Sequence, residues 1–169
     1  MPFFSVIIPT YNRRERLRAA VDSVLAQTFR DFELIVVDDG STDGTEGLLE
    51  GYGSSLRALR QANRGVSAAR NAGISIASSP HIALLDSDDL WLPGKLEMQA
   101  AYIRDHPGIL IHQCEETWIR NGRRVNPGRR HIKPEGMIFP QSLDLCLISP
   151  SSVVIRRDLL ERTGLFDEA

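Results

Sequence analysis

The run Ile82-Ala83-Leu84-Leu85-Asp86-Ser87-Asp88-Asp89-Leu90-Trp91-Leu92-Pro93 constrains this chain more than any other stretch. Four apolar residues without a polar interruption, then three carboxylates in four positions, predict a buried strand that delivers acidic side chains to its carboxyl end. Open α/β sheets bind their ligands at that end. Carboxylates packed this closely repel one another unless a cation or ligand donors offset them, and all-oxygen ligands favour Mg²⁺ or Mn²⁺ over zinc or copper. The competing reading is a solvated acidic loop that caps the helix expected after Pro93.

The flanking sequence supplies the sheet. Phe4 to Ile8 reads as a first buried strand stopped by Pro9, with Pro9-Thr10-Tyr11-Asn12 as the loop after it. Asn12 and Glu15 have the form of a capping box, opening a helix whose apolar face holds Leu17, Ala20, Val21, Val24 and Leu25. Phe32 to Val37 is the second strand and ends in Asp38-Asp39-Gly40-Ser41, where Ser41 or Thr42 can cap a short helix through Leu48 and Leu49. A short third strand (Leu56 to Arg60), a helix from Val66 to Ala77, the acidic-tipped strand, a helix from Gly94 or Lys95 to His106 and a strand from Ile109 to His112 follow. This alternation predicts an α/β fold, a mostly parallel, Rossmann-like sheet flanked by helices on both faces.

After Cys114 the pattern changes. Thr117 to Pro134 contains no acidic residue but carries Arg120, Arg123, Arg124, Arg129, Arg130 and Lys133, and Asn121-Gly122 is a two-residue hairpin signal. This basic insertion, about 117–140, either grips an anionic acceptor or a membrane surface or is a solvated hairpin. Ser152 to Ile155 reads as a late strand and Arg156 to Arg162 as a short helix closed by Gly164.

The 169 residues suit a single domain, and 42% hydrophobic with 25% charged residues is ordinary globular composition. A net charge of −2 gives no pull toward nucleic acid. Cys114 and Cys146 have no metal-type spacing and read as reduced, buried thiols. No stretch approaches the ~20 apolar residues of a membrane span, and the N-terminus lacks a signal peptide's basic segment. The expectation is a cytoplasmic protein, with peripheral contact at the inner face of the membrane through the basic insertion. The sequence ends at Ala169 without a stop signal or polar tail, as a chain cut short would. Oligomeric state has no sequence signal.

Two strands thus end in acids, and in a parallel sheet both ends and the Pro9–Asn12 loop can meet at one cleft. Asp38 and Asp39 suit sugar hydroxyls or base N–H groups, Tyr11 offers a stacking face, and Arg70 can reach a diphosphate. A metal-bound nucleotide diphosphate would use all of them. Each also has a plainer role: Tyr11 as a half-buried loop aromatic, Arg70 as an exposed helix charge, Asp38 as a capping acid.

Val6-Ile7-Ile8-Pro9-Thr10-Tyr11-Asn12, Val36-Val37-Asp38-Asp39-Gly40-Ser41-Thr42-Asp43, Asn63-Arg64-Gly65, Ala69-Arg70-Asn71 and Leu85-Asp86-Ser87-Asp88-Asp89 resemble the ordered signature of glycosyltransferase family 2. Gly164-Leu165-Phe166-Asp167-Glu168 is similar to a later element of that family, and the similarity is thinnest over the basic insertion. The resemblance implies a glycosyltransferase A fold and transfer, with inversion, from a nucleotide-diphospho-sugar to a saccharide or lipid-linked acceptor. A UDP-sugar is the expected donor, and cell-surface polysaccharide or lipopolysaccharide assembly the expected setting. Carried over by position, Pro9, Thr10 and Tyr11 line the nucleotide site, Asp38 and Asp39 hold base and ribose, and Arg70 approaches the diphosphate. Asp86 and Asp88 match the Asp-x-Asp element, with Asp88 on Mn²⁺ or Mg²⁺ and Asp86 nearer the ribose or bound water. Asp89 and Trp91 shape the donor-sugar pocket. The family's general base is an acidic residue shortly after the Phe-Asp-Glu segment, so it is expected beyond Ala169, and neither Asp167 nor Glu168 is assigned to that role. Without a base, a non-catalytic nucleotide-sugar binding module is the alternative. A dinucleotide oxidoreductase would need a glycine-rich turn where Pro9-Thr10-Tyr11-Asn12 stands, and a phosphotransfer protein an acid at the end of the first strand.

Overall fold

The computed structural model describes residues 1–125, 128, 131–145 and 147–169. Its first half alternates as β1 (Phe4–Thr10), α1 (Arg14–Leu25), β2 (Phe32–Asp38), α2 (Thr45–Glu50), β3 (Arg57–Arg60), α3 (Val66–Ile76) and β4 (His81–Leu84). Then follow α4 (Lys95–Asp105), β5 (Ile111–Gln113), a β6–β7 hairpin (Trp118–Arg120, Arg123–Val125), α5 (Phe139–Asp144), β8 (Val153–Arg156) and α6 (Arg157–Thr163). Arg129, Arg130 and Cys146, singled out above, lie outside the described residues.

The main sheet runs β3-β2-β1-β4-β8-β5. The first four strands pair in parallel, and β8 is antiparallel to both β4 and β5. The sheet is therefore mixed at one end, with β8 inserted between β4 and β5 in the opposite sense to both. The strands are apolar on both sides because both sides are covered. Val6, Ile8, Leu34, Val36 and Ala83 pack with Leu17, Val21 and Leu96 from α1 and α4, while Ile7, Ile35, Val37, Ile82 and Leu84 pack with Ala69, Ile74 and Leu160 from α3 and α6.

Pro9 does not stop β1: it pairs with Val37, and Thr10 with Asp38. The carbonyl of Ile7 accepts from Leu85 on the β4 side and that of Thr10 from Asp39 on the β2 side. Alternation then puts the Pro9 nitrogen on the β4 side, past the last bond between the two strands, where a missing N–H costs nothing.

The expected capping box is absent. Asn12 sits at φ 50° and its side chain has no cap bond to α1; its Oδ1 accepts from the Thr42 N–H (2.7 Å) and its own N–H donates to Ser41 Oγ (2.9 Å). Asp43 serves instead of Ser41 or Thr42, and it serves two helices. Oδ2 accepts from the first N–H of α1, Arg14 (2.9 Å), and Oδ1 from the first N–H of α2, Thr45 (3.2 Å), and from its hydroxyl (2.6 Å). Burial would raise the Asp43 carboxyl, but these donors overcome it and hold the carboxyl below its ordinary value.

Cys114 is half-buried, and burial pushes its thiol up, with Sγ 3.6 Å from the Ser152 carbonyl. The β6–β7 turn has Asn121 at φ 50° and Gly122 at φ 73°, the two positive values a two-residue turn needs. Among the described residues no helix is long and apolar enough to cross a membrane.

Candidate functional site: a cleft at the strand ends

From β1 the chain steps to β2 on one side, and later reaches β4 on the other. The carboxyl ends flanking β1 are thus a topological switch point, where open sheets leave a crevice. A cleft of ≈ 590 Å³ lies there. Pro9, Thr10 and Tyr11 line it from β1, with Tyr11 exposed, and Asp39, Arg70, Asp86 and Asp88 line it from the other elements. Asp39 and Asp88, far apart in sequence, therefore share one crevice.

Asp39 follows β2 and faces the start of α3. Its Oδ1 accepts from Gln61 Nε2 (2.7 Å) and the Arg64 N–H (3.0 Å), and its Oδ2 from the Gly65 N–H (2.8 Å). A carboxylate there gathers the donors of the loop that leads into α3 and lies near the positive end of that helix. Gly65 itself has φ 88°, a conformation that disfavours a side chain.

Asp38 points the other way. Successive strand residues face opposite sides, so Asp38 is 1% exposed beneath a separate groove near α2 and β3. Its Oδ1 accepts from the Ser41 N–H (2.9 Å), and Oδ2 lies 3.9 Å from Arg60 Nε without a hydrogen bond. Both acids were expected at one site; the structure brings Asp39 alone into the cleft.

Arg70 projects from α3 into the cleft. Its Nη2 binds Asp86 Oδ1 (2.7 Å), and its guanidinium lies 5.5 Å from the Phe166 ring centroid. Depth on this wall is set by Gly73: a methyl group there would lie 2.5 Å from Ile7 Cγ2 and 3.3 Å from Val37 Cγ2. Below Arg70, Asn71 holds the C-terminal segment, receiving the Phe166 N–H (3.0 Å) and donating to the Phe166 carbonyl and Glu168 Oε1 (both 2.8 Å). Glu168 also pairs with Arg64 (2.7 Å).

Asp88 is held by two arginines of α1 and its cap, Arg13 (2.5 Å) and Arg16 (3.4 Å). Sequence reasoning did not single these out; their signal was three arginines within six residues of the end of a cleft-forming strand. Asp89 turns out of the cleft. Its Oδ2 accepts from the Ser151 hydroxyl (2.6 Å), whose oxygen accepts from the Asp86 N–H (3.1 Å). Burial pushes the Asp89 carboxyl up, Ser151 opposes this, and the charges of Asp88, Asp86 and Glu116 add to the rise.

Trp91 is a correction as well. It is 6% exposed in the core beside α1 and α4, its indole donating to the Ser151 carbonyl (2.8 Å), with Lys95 Nζ 3.8 Å from its ring centroid. The reason is Gln27, fully buried, which donates to the Leu92 carbonyl (2.8 Å) and accepts from the Leu96 N–H (3.0 Å), drawing the loop after β4 back onto α1.

On the cleft wall Arg70 Nε has no hydrogen-bond partner in the protein; Thr10 Oγ1, also without one, lies on the Asp38 face of the sheet. Among the described residues no three His, Cys, Asp or Glu side chains group into a cage for an ion. Asp86 and Asp88 nevertheless offer two hard oxygen donors on an open wall. That donor set fits Mg²⁺ or Mn²⁺ of the kind completed by a ligand's phosphates rather than by protein alone.

The family model described as "Glycosyl transferase family 2" matches residues 5–164. An uncharacterized glycosyltransferase of Rickettsia prowazekii, RP339, is 34% identical over 173 residues, 99% of this chain and 54% of that protein. The Escherichia coli UDP-Glc:alpha-D-GlcNAc-diphosphoundecaprenol beta-1,3-glucosyltransferase WfgD is 35% identical over 158 residues, 92% of this chain and 61% of that protein. Among solved structures, TarS residues 1–349 of S. aureus in complex with UDP is similar, with a TM-score of 0.82 and 29% identity over 98% of this chain and 50% of that one. The chain thus spans about half the length of the relatives it matches.

Proposed function

The chain belongs to glycosyl transferase family 2, and on that premise we propose that it forms the nucleotide-sugar site of an inverting, metal-dependent enzyme. The donor is a UDP-sugar and the acceptor a hydroxyl of a saccharide or lipid-linked glycan in cell-surface polysaccharide or lipopolysaccharide assembly. Residues 1–169 act as one binding unit. The observation that carries this reading is the crevice at the strand ends in which Asp39, Arg70, Asp86 and Asp88 meet although they come from three separate stretches of the chain. UDP is favoured as the nucleotide because the TarS and WfgD names carry it.

In this arrangement Tyr11 stacks on the base, Asp39 orders the base and ribose end, and Arg70 donates to the diphosphate. Asp88, with Asp86 beside it, would hold Mn²⁺ or Mg²⁺, which when bound supplies a Lewis acid for the charge developing on the leaving oxygen. Arg70 stabilises the same charge from α3, and Arg13 neutralises Asp88 until the donor enters. Glu168, tied to Arg64 and Asn71, is not free to take the acceptor's proton, so no general base is assigned within this chain.

Calorimetry of UDP with and without Mn²⁺ tests the proposal. Binding is expected to need the metal and to weaken at least about tenfold in Asp88→Ala, the loss of one charge-assisted contact. An Asp88→Ala variant that binds as tightly as the parent would remove Asp88 from the metal site. Turnover of UDP-sugar by the whole protein separates an enzyme from a binding module.

A further inference from the structure

The segment between β5 and β8 contains a second cavity, ≈ 220 Å³, that the donor site does not use. It is lined by Glu116, Trp118, His131, Lys133, Leu147 and Ser149. At its centre Glu116 receives the Ser149 hydroxyl, the Lys133 ammonium (2.9 Å) and the Trp118 indole. Lys133 also donates to the Leu147 carbonyl (2.9 Å), and its side chain is only 11% exposed. The Trp118 ring lies against His131, centroids 4.9 Å apart and tilted 60°, yet Trp118 remains 39% exposed.

This is an expensive arrangement for a surface hairpin. Desolvating a lysine and a glutamate together is rarely repaid by their attraction, and an apolar pair would serve packing better. What the network achieves is to fix an aromatic face beside a carboxylate acceptor and an ammonium donor. That is the equipment for a pyranose ring, whose C–H face stacks on an aromatic while its hydroxyls bond to charged side chains. The cavity's volume suits roughly one such ring.

Its place in the molecule says which ring. Ser149 lines the cavity, and two residues on Ser151 bonds both the Asp86 N–H and Asp89 Oδ2 at the cleft. The charge of Glu116 reaches Asp89. The cavity therefore lies beyond Asp89, on the side of the cleft away from Asp39, and exposed Arg120, Arg123 and Arg124 stand on the same hairpin as Trp118.

We propose that the Glu116–Trp118–Lys133 cavity is a sugar subsite that holds a pyranose unit of the acceptor glycan. The identity of the ligand as an acceptor rests on the donor-site reading above; the capacity to bind a pyranose does not.

Saturation-transfer NMR tests it with the methyl glycosides of glucose, N-acetylglucosamine and glucuronate, on protein alone and on protein saturated with UDP and diamagnetic Mg²⁺. At least one glycoside is expected to receive saturation in both states, and its affinity to fall about tenfold in Trp118→Ala while Trp118→Phe keeps most of it. Thermal melting of the variants checks that the hairpin change leaves the fold intact. Signals that vanish on UDP addition, that persist unchanged in Trp118→Ala, or that never arise with any of the glycosides overturn the subsite. The UDP isotherm of the parent protein is read separately, so its failure would count against the donor site and not against this cavity.

Discussion

The parallel half of the sheet and the segment between β5 and β8 reach the cleft by different routes. In the parallel half, Thr10, Asp39 and Asp86 sit at strand ends or in the first step beyond them, and the backbone ladder fixes where they go. In the later segment the strands are three residues long and the β6–β7 hairpin forms a sheet of its own. Position there depends on side chains that meet across the sequence: Glu116 with Lys133, Gln113 with Pro134, Ser151 with Asp89. A carboxylate carried by the ladder and one carried by side-chain contacts should therefore differ in what they support.

The largest test of that difference is Asp39→Asn. An amide cannot satisfy the three donors that Asp39 receives, and a loss of about 3 kcal/mol in urea unfolding is expected, together with weakened UDP binding. Glu115→Gln, which alters a single long contact to the Lys133 N–H (3.3 Å), should cost under about 0.5 kcal/mol. Equal losses would mean that the ladder confers no special weight. Next comes Asp43→Ala, which removes side-chain caps from two helices at once and is expected to cost about 2 kcal/mol. Asp43→Asn should recover part of it, because an amide oxygen still accepts; no recovery would assign the effect to charge rather than capping.

The smallest effect lies at the seam between the two regions. Burial beneath Trp91 pushes the Lys95 ammonium from 10.5 down to about 8. Between these values the unfolded chain keeps a proton that the folded chain has released, so stability rises with pH through this window and is lost as pH falls through about 8. From pH 8 to about 9.5 the gain should be on the order of 1 kcal/mol, and it should disappear in Lys95→Met. A Lys95→Met protein with the same pH slope would place the titration elsewhere.

The same contrast explains what could be read from residue order. The alternation of elements, the hairpin at Asn121-Gly122 and the meeting of Asp39 with Asp86 and Asp88 all follow from period, turn chemistry and parallel pairing, which are local or topological. Asp38 and Asp39 are indistinguishable as neighbours in a motif; only the continuation of β2 through Asp38 gives them opposite faces, Asp39 toward the cleft and Asp38 away from it. Trp91 stands next to the acidic run, yet Gln27, more than sixty positions away, decides that it belongs to the core. Asn12 has a capping residue's identity, but its backbone at φ 50° and its bond to Thr42 commit it to the neighbouring loop. Arg13 and Arg16 came into view only when α1 was laid beside the loop that carries Asp88.

Gly73 has a bearing on how such a cleft could be remodelled. Because α3 rests on Ile7 and Val37 at a distance that leaves no room for even one more carbon, the separation between Arg70 and the opposing acids is governed from underneath. Widening the mouth for a bulkier ligand would thus begin at position 73, where a single methyl could lift the whole wall, and not among the residues that the ligand touches.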